Sequence, residues 1–164
     1  MTSYLCHPKR HNTPEKVICV SLLVTAILSF YFSNLFSSLR ALGQGLSAVL
    51  LFFFIFFTIK YLLTDYRYAW ENGNLILSSR LGRKEKSLGS IPITKDCRLV
   101  KKEQWNKGEA KPKSRFSYCQ NLFPPNAFYL VVSDKESYLL CFEPDETLLA
   151  LLRSAIEASN SKNE

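Results

Sequence analysis

Two long uncharged runs near the N-terminus constrain this chain more than any other feature. Residues 17–36 and 41–59 contain no Asp, Glu, Lys or Arg. A helix that crosses about 30 Å of hydrocarbon needs roughly 20 apolar residues. We therefore predict a transmembrane hairpin over residues 17–63, with one helix at 17–36, the other at 41–63 and a short connection between them.

Two other interpretations of these runs were weighed. Buried core helices would need a large domain to cover them, and only about 100 residues follow the second run. A cleavable signal peptide has an apolar part of about 7–15 residues, followed by a cleavage site of the A-x-A type, and the first run fits neither property. An uncleaved membrane anchor is the better interpretation.

The basic residues predict the orientation of the hairpin, because Lys and Arg near membrane helices stay on the cytoplasmic side. The connection contains only Arg40. We therefore expect a multi-pass protein of the cell membrane with both termini in the cytoplasm. The basic residues of the N-terminal tail and of the segment that begins at the end of the second helix are Lys9, Arg10, Lys16, Lys60, Arg67, Arg80, Arg83, Lys84 and Lys86.

From residue 65 onward, short segments of alternating polarity replace the continuous apolar runs, which is typical of β-strands. Asn72-Gly73 separates two such segments and predicts a tight hairpin turn, because both residues tolerate positive φ. About seven strands are expected in the domain at 65–159, preceded by a cytoplasmic tail at 1–16 and followed by a tail at 160–164. The predicted strands are residues 66–71, 74–79, 83–88, 97–102, 116–121, 127–133 and 138–142.

After Pro144 the period changes to that of an amphipathic helix. Asp145 stands at the position of an N-cap, and Glu146 is favourably placed in the first turn. The apolar face of this helix is predicted to consist of Leu148, Leu149, Leu152, Ala155 and Ile156.

Two stretches carry a resemblance to a known family. They are ENGNLILSSRLGRKEKSLGSIPI and AFYLVVSDKESYLLCFEPDETLLALLRSAI. The chain resembles the bacterial membrane proteins in which two transmembrane helices precede a pleckstrin-homology-like (PH-like) domain. The resemblance implies a mainly antiparallel PH-like barrel of about seven strands that a C-terminal helix closes. The loop that holds phosphoinositides in such domains corresponds to the tight, acidic residues 71–74, so the usual pocket is not expected.

Catalytic and metal-binding motifs are absent from the domain sequence. The two histidines of the chain, His7 and His11, lie in the tail, so no Ser-His or Cys-His pair can form within residues 65–159. Cys6, His7 and His11 could hold a metal on a helix, but two prolines interrupt that segment and favour a solvated tail. We expect no enzyme activity, no cofactor and no metal. The five cysteines contain no C-x-x-C and are expected to stay reduced in the cytoplasm.

Charge is distributed unevenly along the domain. Residues 80–115, which we call the basic band, contain twelve Lys or Arg and four acidic residues, whereas residues 134–164 contain three basic and seven acidic residues. The band is either a solvated surface or a site for an anionic partner, and the membrane is the nearest anionic surface. The residues predicted to bind lipid or a partner are Arg80, Arg83, Lys84, Lys86, Arg98, Lys101 and Lys102.

Two functions follow from these features. The first is a non-catalytic, membrane-anchored PH-like module that binds anionic lipid headgroups or a membrane protein partner on the cytoplasmic face. The second is an accessory or scaffolding subunit of a larger membrane complex, whose hairpin would pack through the small residues Gly43, Gly45 and Ser47 beside Gln44. Nucleic acid is not expected as a partner, because the band offers few aromatic residues for stacking on bases.

Overall fold

Both uncharged runs form helices, as the sequence predicts. In the computed structural model, which describes residues 3–10, 13–35, 40–105, 112–133 and 137–161, helix α1 spans Thr13–Leu35 and helix α2 spans Arg40–Phe57. A π-helical segment at Thr58–Leu63 continues α2, and the connection at 37–39 lies outside the described residues. Both helices are long and apolar enough to cross a membrane. Most of their large apolar side chains are exposed, unlike those of a soluble core helix.

Small residues hold α1 and α2 together. The Ser29 hydroxyl donates to the Gly43 carbonyl at 3.1 Å, and the Ser47 hydroxyl donates to the Ala26 carbonyl at 2.9 Å. A Cβ atom at Gly43 would lie 2.4 Å from the Cβ of Ser33, so only glycine permits this approach. Gly43 and Ser47 therefore serve contacts within the hairpin, which removes them from the surface expected to pack against another protein.

A first sheet contains a strand that the sequence did not reveal. Strand β1 at Tyr4–Cys6 pairs antiparallel with β2 at Thr64–Glu71, although the whole helical hairpin separates them in sequence. Strands β3 at Asn74–Leu81 and β4 at Lys84–Pro92 follow, in the order β1-β2-β3-β4. The first ten residues thus belong to the same compact unit as residues 65–164, where the sequence predicted only a tail.

The second sheet has the order β5-β7-β8-β6. Its strands are β5 at Cys97–Lys101, β6 at Ser114–Ser117, β7 at Phe128–Val132 and β8 at Tyr138–Phe142. Helix α3 at Glu146–Ser161 ends the described chain. Seven strands follow the helices in the described residues, as predicted, but they form parts of two four-stranded sheets and do not close into one barrel. The predicted turn at 133–136 includes residues outside the described ranges.

Strand β6 differs most from its predicted form. It runs parallel to β8, with Ser114 opposite Tyr138, and ends at Ser117 where a strand to residue 121 was expected. The Tyr118 amide still donates to the Cys141 carbonyl at 2.9 Å, and beyond it Gln120 and Asn121 form side-chain hydrogen bonds to other segments.

The core of the sheet unit joins both sheets and α3. Its fully buried side chains include Tyr68, Leu75, Phe142, Leu148 and Leu152. The N-cap prediction is confirmed, since Asp145 Oδ1 accepts a hydrogen bond from the Leu148 amide at 2.8 Å. Leu148 and Leu152 supply the buried face of the helix, as the apolar period indicated.

Candidate anion-binding surface

Four of the seven predicted binding residues lie at the end of the β3–β4 hairpin. Arg80 and Lys86 belong to the two strands, and Arg83 and Lys84 follow the turn at Gly82, which has a positive φ of 60°. The Arg80 Nε atom donates to the Gly82 carbonyl at 2.8 Å and so holds the turn. Residues 81–87 are all exposed, because the hairpin extends beyond the core.

The strand register sorts these four residues by face. Lys84 lies opposite Leu81 and Lys86 opposite Ser79, so both lysines project to the face that Leu75 and Leu77 bury further along β3. A β-bulge shifts the register at Leu77/Ser78, but the residues of β3 continue to alternate between the two faces across it. At the exposed end of the hairpin, the face that is buried further along β3 therefore carries Lys84, Lys86 and Leu81. Leu81 is 47% exposed.

Arg80 lies on the other face, opposite Glu85. Glu85 accepts a hydrogen bond from Ser78 at 3.1 Å and forms an ion pair with Arg67 of β2 at 3.5 Å. The carboxylate is half exposed, so the pair contributes little to stability. Glu85 nevertheless places an acidic group among the cations on this face. The opposite face, which carries Lys84 and Lys86, is therefore the more positive of the two.

Strand direction brings the basic turn to one end of the first sheet. Strand β2 runs away from Asp65 to the Asn72-Gly73 turn, where both residues have positive φ, and β3 runs back. Since both strands have eight residues, the turn at Gly82 lies at the end of the sheet where β2 begins. Arg10 lies at that end too, paired with Asp65 at 2.7 Å.

The other three predicted residues lie in the second sheet. Arg98 and Lys101 belong to β5, and Lys102 begins a short 3₁₀ turn at Lys102–Gln104. Lys101 forms an ion pair with Glu103 at 3.0 Å. The structure therefore distributes the predicted set over two sheets, and only the β3–β4 group is brought together in one hairpin.

A polar network holds the N-terminal segment against the sheets. The side-chain amide of Asn121 donates to the Lys9 carbonyl at 2.9 Å and to Glu143 Oε2 at 2.6 Å. Tyr68 donates its hydroxyl to the Tyr118 carbonyl at 2.6 Å, and Tyr4 donates its hydroxyl to Asp145. That hydrogen bond to a carboxylate raises the pKa of Tyr4. The network explains why residues 4–9 lie against the sheets.

Two thiols lie in contact beneath the second sheet. The Sγ atoms of Cys119 and Cys141 are 3.3 Å apart, and both residues are buried. Their mutual hydrogen bond raises the pKa of Cys119 and lowers the pKa of Cys141. Elsewhere in the core, burial raises the pKa of Cys6 to about 11. All five cysteines are free thiols.

The described ranges contain no group of three or more His, Cys, Asp and Glu that could hold a metal ion. His11, which the metal alternative with Cys6 and His7 requires, lies outside those ranges. Sequence reasoning missed Arg67 as a neighbour of the β3–β4 hairpin, since only strand pairing brings it to Glu85. No family model, curated protein or solved structure matches the chain.

Proposed function

We propose that this chain is a non-catalytic, membrane-anchored module whose PH-like domain lies on the cytoplasmic face and binds anionic lipid headgroups. The observation that carries the proposal is the exposed end of the β3–β4 hairpin with Arg83, Lys84 and Lys86. Each basic residue close to an anionic bilayer gains about 1 kcal/mol. Three such residues suffice for weak, salt-sensitive binding.

Chain connectivity supports this assignment. The membrane-length segment ends at Leu63 and β2 begins at Thr64, so no linker separates them. The turn at Gly82 belongs to the end of the sheet where β2 begins. A basic hairpin at that end is suited to headgroups, whereas a basic hairpin at the Asn72-Gly73 end would be a strand length of roughly 25 Å further along.

The order of elements agrees with the PH-like resemblance. The strands are followed by a C-terminal helix that buries Leu148 and Leu152 in the core, as the resemblance implies, whereas β6 runs parallel to β8. The tight Asn72-Gly73 turn leaves no basic loop between β2 and β3, so the proposed lipid contact uses the β3–β4 hairpin instead.

Vesicle binding tests the proposal on a water-soluble version in which a short Gly/Ser linker joins Arg10 to Asp65. The side chains of these two residues are 2.7 Å apart, so a short linker can replace residues 11–64. Its folding is checked first by the fluorescence of the buried Trp70. We expect binding to phosphatidylserine vesicles that weakens steeply with salt, and no binding to phosphatidylcholine vesicles.

A matched pair of variants locates the contact. Lys84→Glu with Lys86→Glu should weaken binding at least about 30-fold, which corresponds to the loss of two lipid contacts. Lys113→Glu with Arg115→Glu changes the charge equally at another exposed edge and should have a much smaller effect. Equal losses of vesicle binding in the two double variants would contradict a contact between the β3–β4 hairpin and the membrane. A folded domain that ignores anionic vesicles at low salt would favour the accessory-subunit alternative.

A further inference from the structure

The loop between β6 and β7 carries the most exposed large apolar side chain among the described residues of the sheet unit. Phe123 is 69% exposed, whereas Leu5, Leu81 and Phe116 are 44% to 50% exposed. Phe123 belongs to the uncharged segment Leu122-Phe123-Pro124-Pro125. Loops that face water are normally polar, so an apolar tip of this kind indicates a contact outside the unit.

Two hydrogen bonds tie the base of this loop to the segments that lead into and out of the helices. The Tyr66 amide donates to the side-chain oxygen of Gln120 at 2.9 Å, and the side-chain amide of Asn121 donates to the Lys9 carbonyl at 2.9 Å. Tyr66 is three residues beyond Leu63, where the second membrane-length helix ends. Three extended residues span roughly 10 Å, so chain length alone keeps the base of the loop near that helix end.

The backbone of the tip is suited to an apolar environment. Pro124 and Pro125 have no N–H group, so the tip has two fewer donors that need a partner away from water. Proline also disfavours helical backbone at the preceding residue, Phe123. Gln120 and Asn121 are buried whereas Phe123 and Pro125 are exposed, so the tip projects from an anchored base.

A cation lies beside the end of the loop. The Lys102 amide donates to the Ala127 carbonyl at 3.0 Å, and Lys102 is exposed. Lys102 is one of the residues that the sequence predicted to bind lipid. At a membrane interface, apolar side chains enter the boundary with the acyl chains while lysine ammonium groups stay among the headgroups. An apolar tip with a lysine beside it has this arrangement.

We propose that the tip of this loop, residues 123–125, inserts into the interface of the lipid bilayer. Such insertion is shallow, about 5–10 Å into the boundary between headgroups and acyl chains. The partner is lipid of any headgroup charge, because the contact is apolar. The inference rests on the membrane anchoring proposed above but not on the basic β3–β4 hairpin.

Photo-crosslinking of the full chain in phosphatidylcholine nanodiscs tests the insertion. Replacement of Phe123 by p-benzoylphenylalanine introduces a benzophenone, which on illumination reacts with C–H bonds of neighbouring acyl chains. We expect lipid adducts, detected by mass spectrometry. The matched control is the same replacement at Glu71, which is exposed at the far end of β2, roughly 20 Å along the strand from Thr64. The control should form no lipid adduct.

The same probe at Phe52 separates failure of the loop from failure of the anchor. Phe52 is 67% exposed within the second membrane-length helix and should form lipid adducts if that helix lies in the bilayer. Adducts at position 52 without adducts at position 123 would overturn the insertion of the loop and leave the anchoring intact. Absence of adducts at both positions would overturn both. Crosslinks from position 123 to a second copy of the chain, in place of lipid, would also overturn the insertion.

The variant Phe123→Cys repeats the test without a bulky apolar probe. The five native cysteines are buried free thiols and should contribute little background. The thiolate is the reactive form and is disfavoured in apolar surroundings, so an impermeant maleimide should modify Phe123→Cys in these nanodiscs at least about tenfold more slowly than Glu71→Cys. Both changed residues are exposed, and thermal unfolding establishes that the variants are folded. Equal rates at the two positions would contradict insertion.

Discussion

At the scale of single residues, the helical hairpin depends on the absence of a side chain at one position. Gly43 lies against Ser33 of the neighbouring helix, and its carbonyl accepts the hydrogen bond from Ser29. Gly45, two residues further along the same helix, has nothing within 4 Å of the position of a Cβ atom. The two glycines therefore differ in the space available for a Cβ atom, and substitution by alanine tests this difference.

We predict that Gly43→Ala destabilises the hairpin by about 1–3 kcal/mol, the usual cost of overpacking a close contact. Gly45→Ala should be neutral or slightly stabilising, because alanine favours a helix over glycine by up to about 1 kcal/mol. Unfolding of the full chain by increasing SDS in mixed micelles, followed by circular dichroism, measures both. Equal behaviour of the two variants would show that the close approach at Gly43 does not hold the helices together.

At the scale of elements, the most consequential strand is the shortest. In β1, Cys6 is fully buried in the core whereas its neighbour Leu5 is 50% exposed, as strand alternation requires. Tyr4 lies opposite Trp70, and the network of Asn121 secures the segment that follows. The strand also covers the edge that β2 would otherwise expose.

We predict that Cys6→Asp unfolds the sheet unit while Leu5→Asp does not. Burial of an unpaired carboxylate costs several kcal/mol, a large part of a total stability of about 5–15 kcal/mol. The fluorescence of Trp70, buried beside β1, reports the change in the full chain in detergent. If the Cys6→Asp variant melts like the Leu5→Asp variant, β1 does not contribute to the core.

At the scale of the whole molecule, the chain enters and leaves the helices through neighbouring strands. Residues before α1 form β1, residues after the π-helical segment form β2, and the two strands pair. A hairpin whose two ends both continue into one sheet must have those ends on one side of a membrane. The connectivity therefore agrees with both ends lying on one side, whereas the choice of the cytoplasmic side rests on the basic residues alone.

Labelling of intact cells with an impermeant maleimide tests this orientation. Native Cys6 and Cys97 are buried, so their failure to react would carry no information, and they can be retained. A cysteine introduced at Ser38 should react in intact cells, whereas one at the exposed Ser87 should react only after the membrane is permeabilised. Reaction at position 87 but not at position 38 would reverse the orientation.

The features that the sequence predicted correctly depend on residues that are close together in the chain. An absence of charge over the length of a bilayer, alternation along strands, Asn72-Gly73 and the Asp145 cap each act within a few neighbouring residues. For that reason the helices, the strands after them and α3 could be predicted with their approximate bounds, with β6 the exception. The clustering of Arg83, Lys84 and Lys86 was predictable as well, since they are neighbours in the sequence.

Tertiary structure alone decided the features that depend on distant partners. Tyr4–Cys6 is too short to show a period, and becomes a strand only because β2 offers hydrogen bonds and the core accepts Cys6. Strand β6 pairs parallel with β8, and the seven strands divide between two sheets, because pairing joins segments far apart in sequence. Arg98 and Arg153 line one groove only because α3 lies beside β5, and no local pattern in the sequence indicates that arrangement.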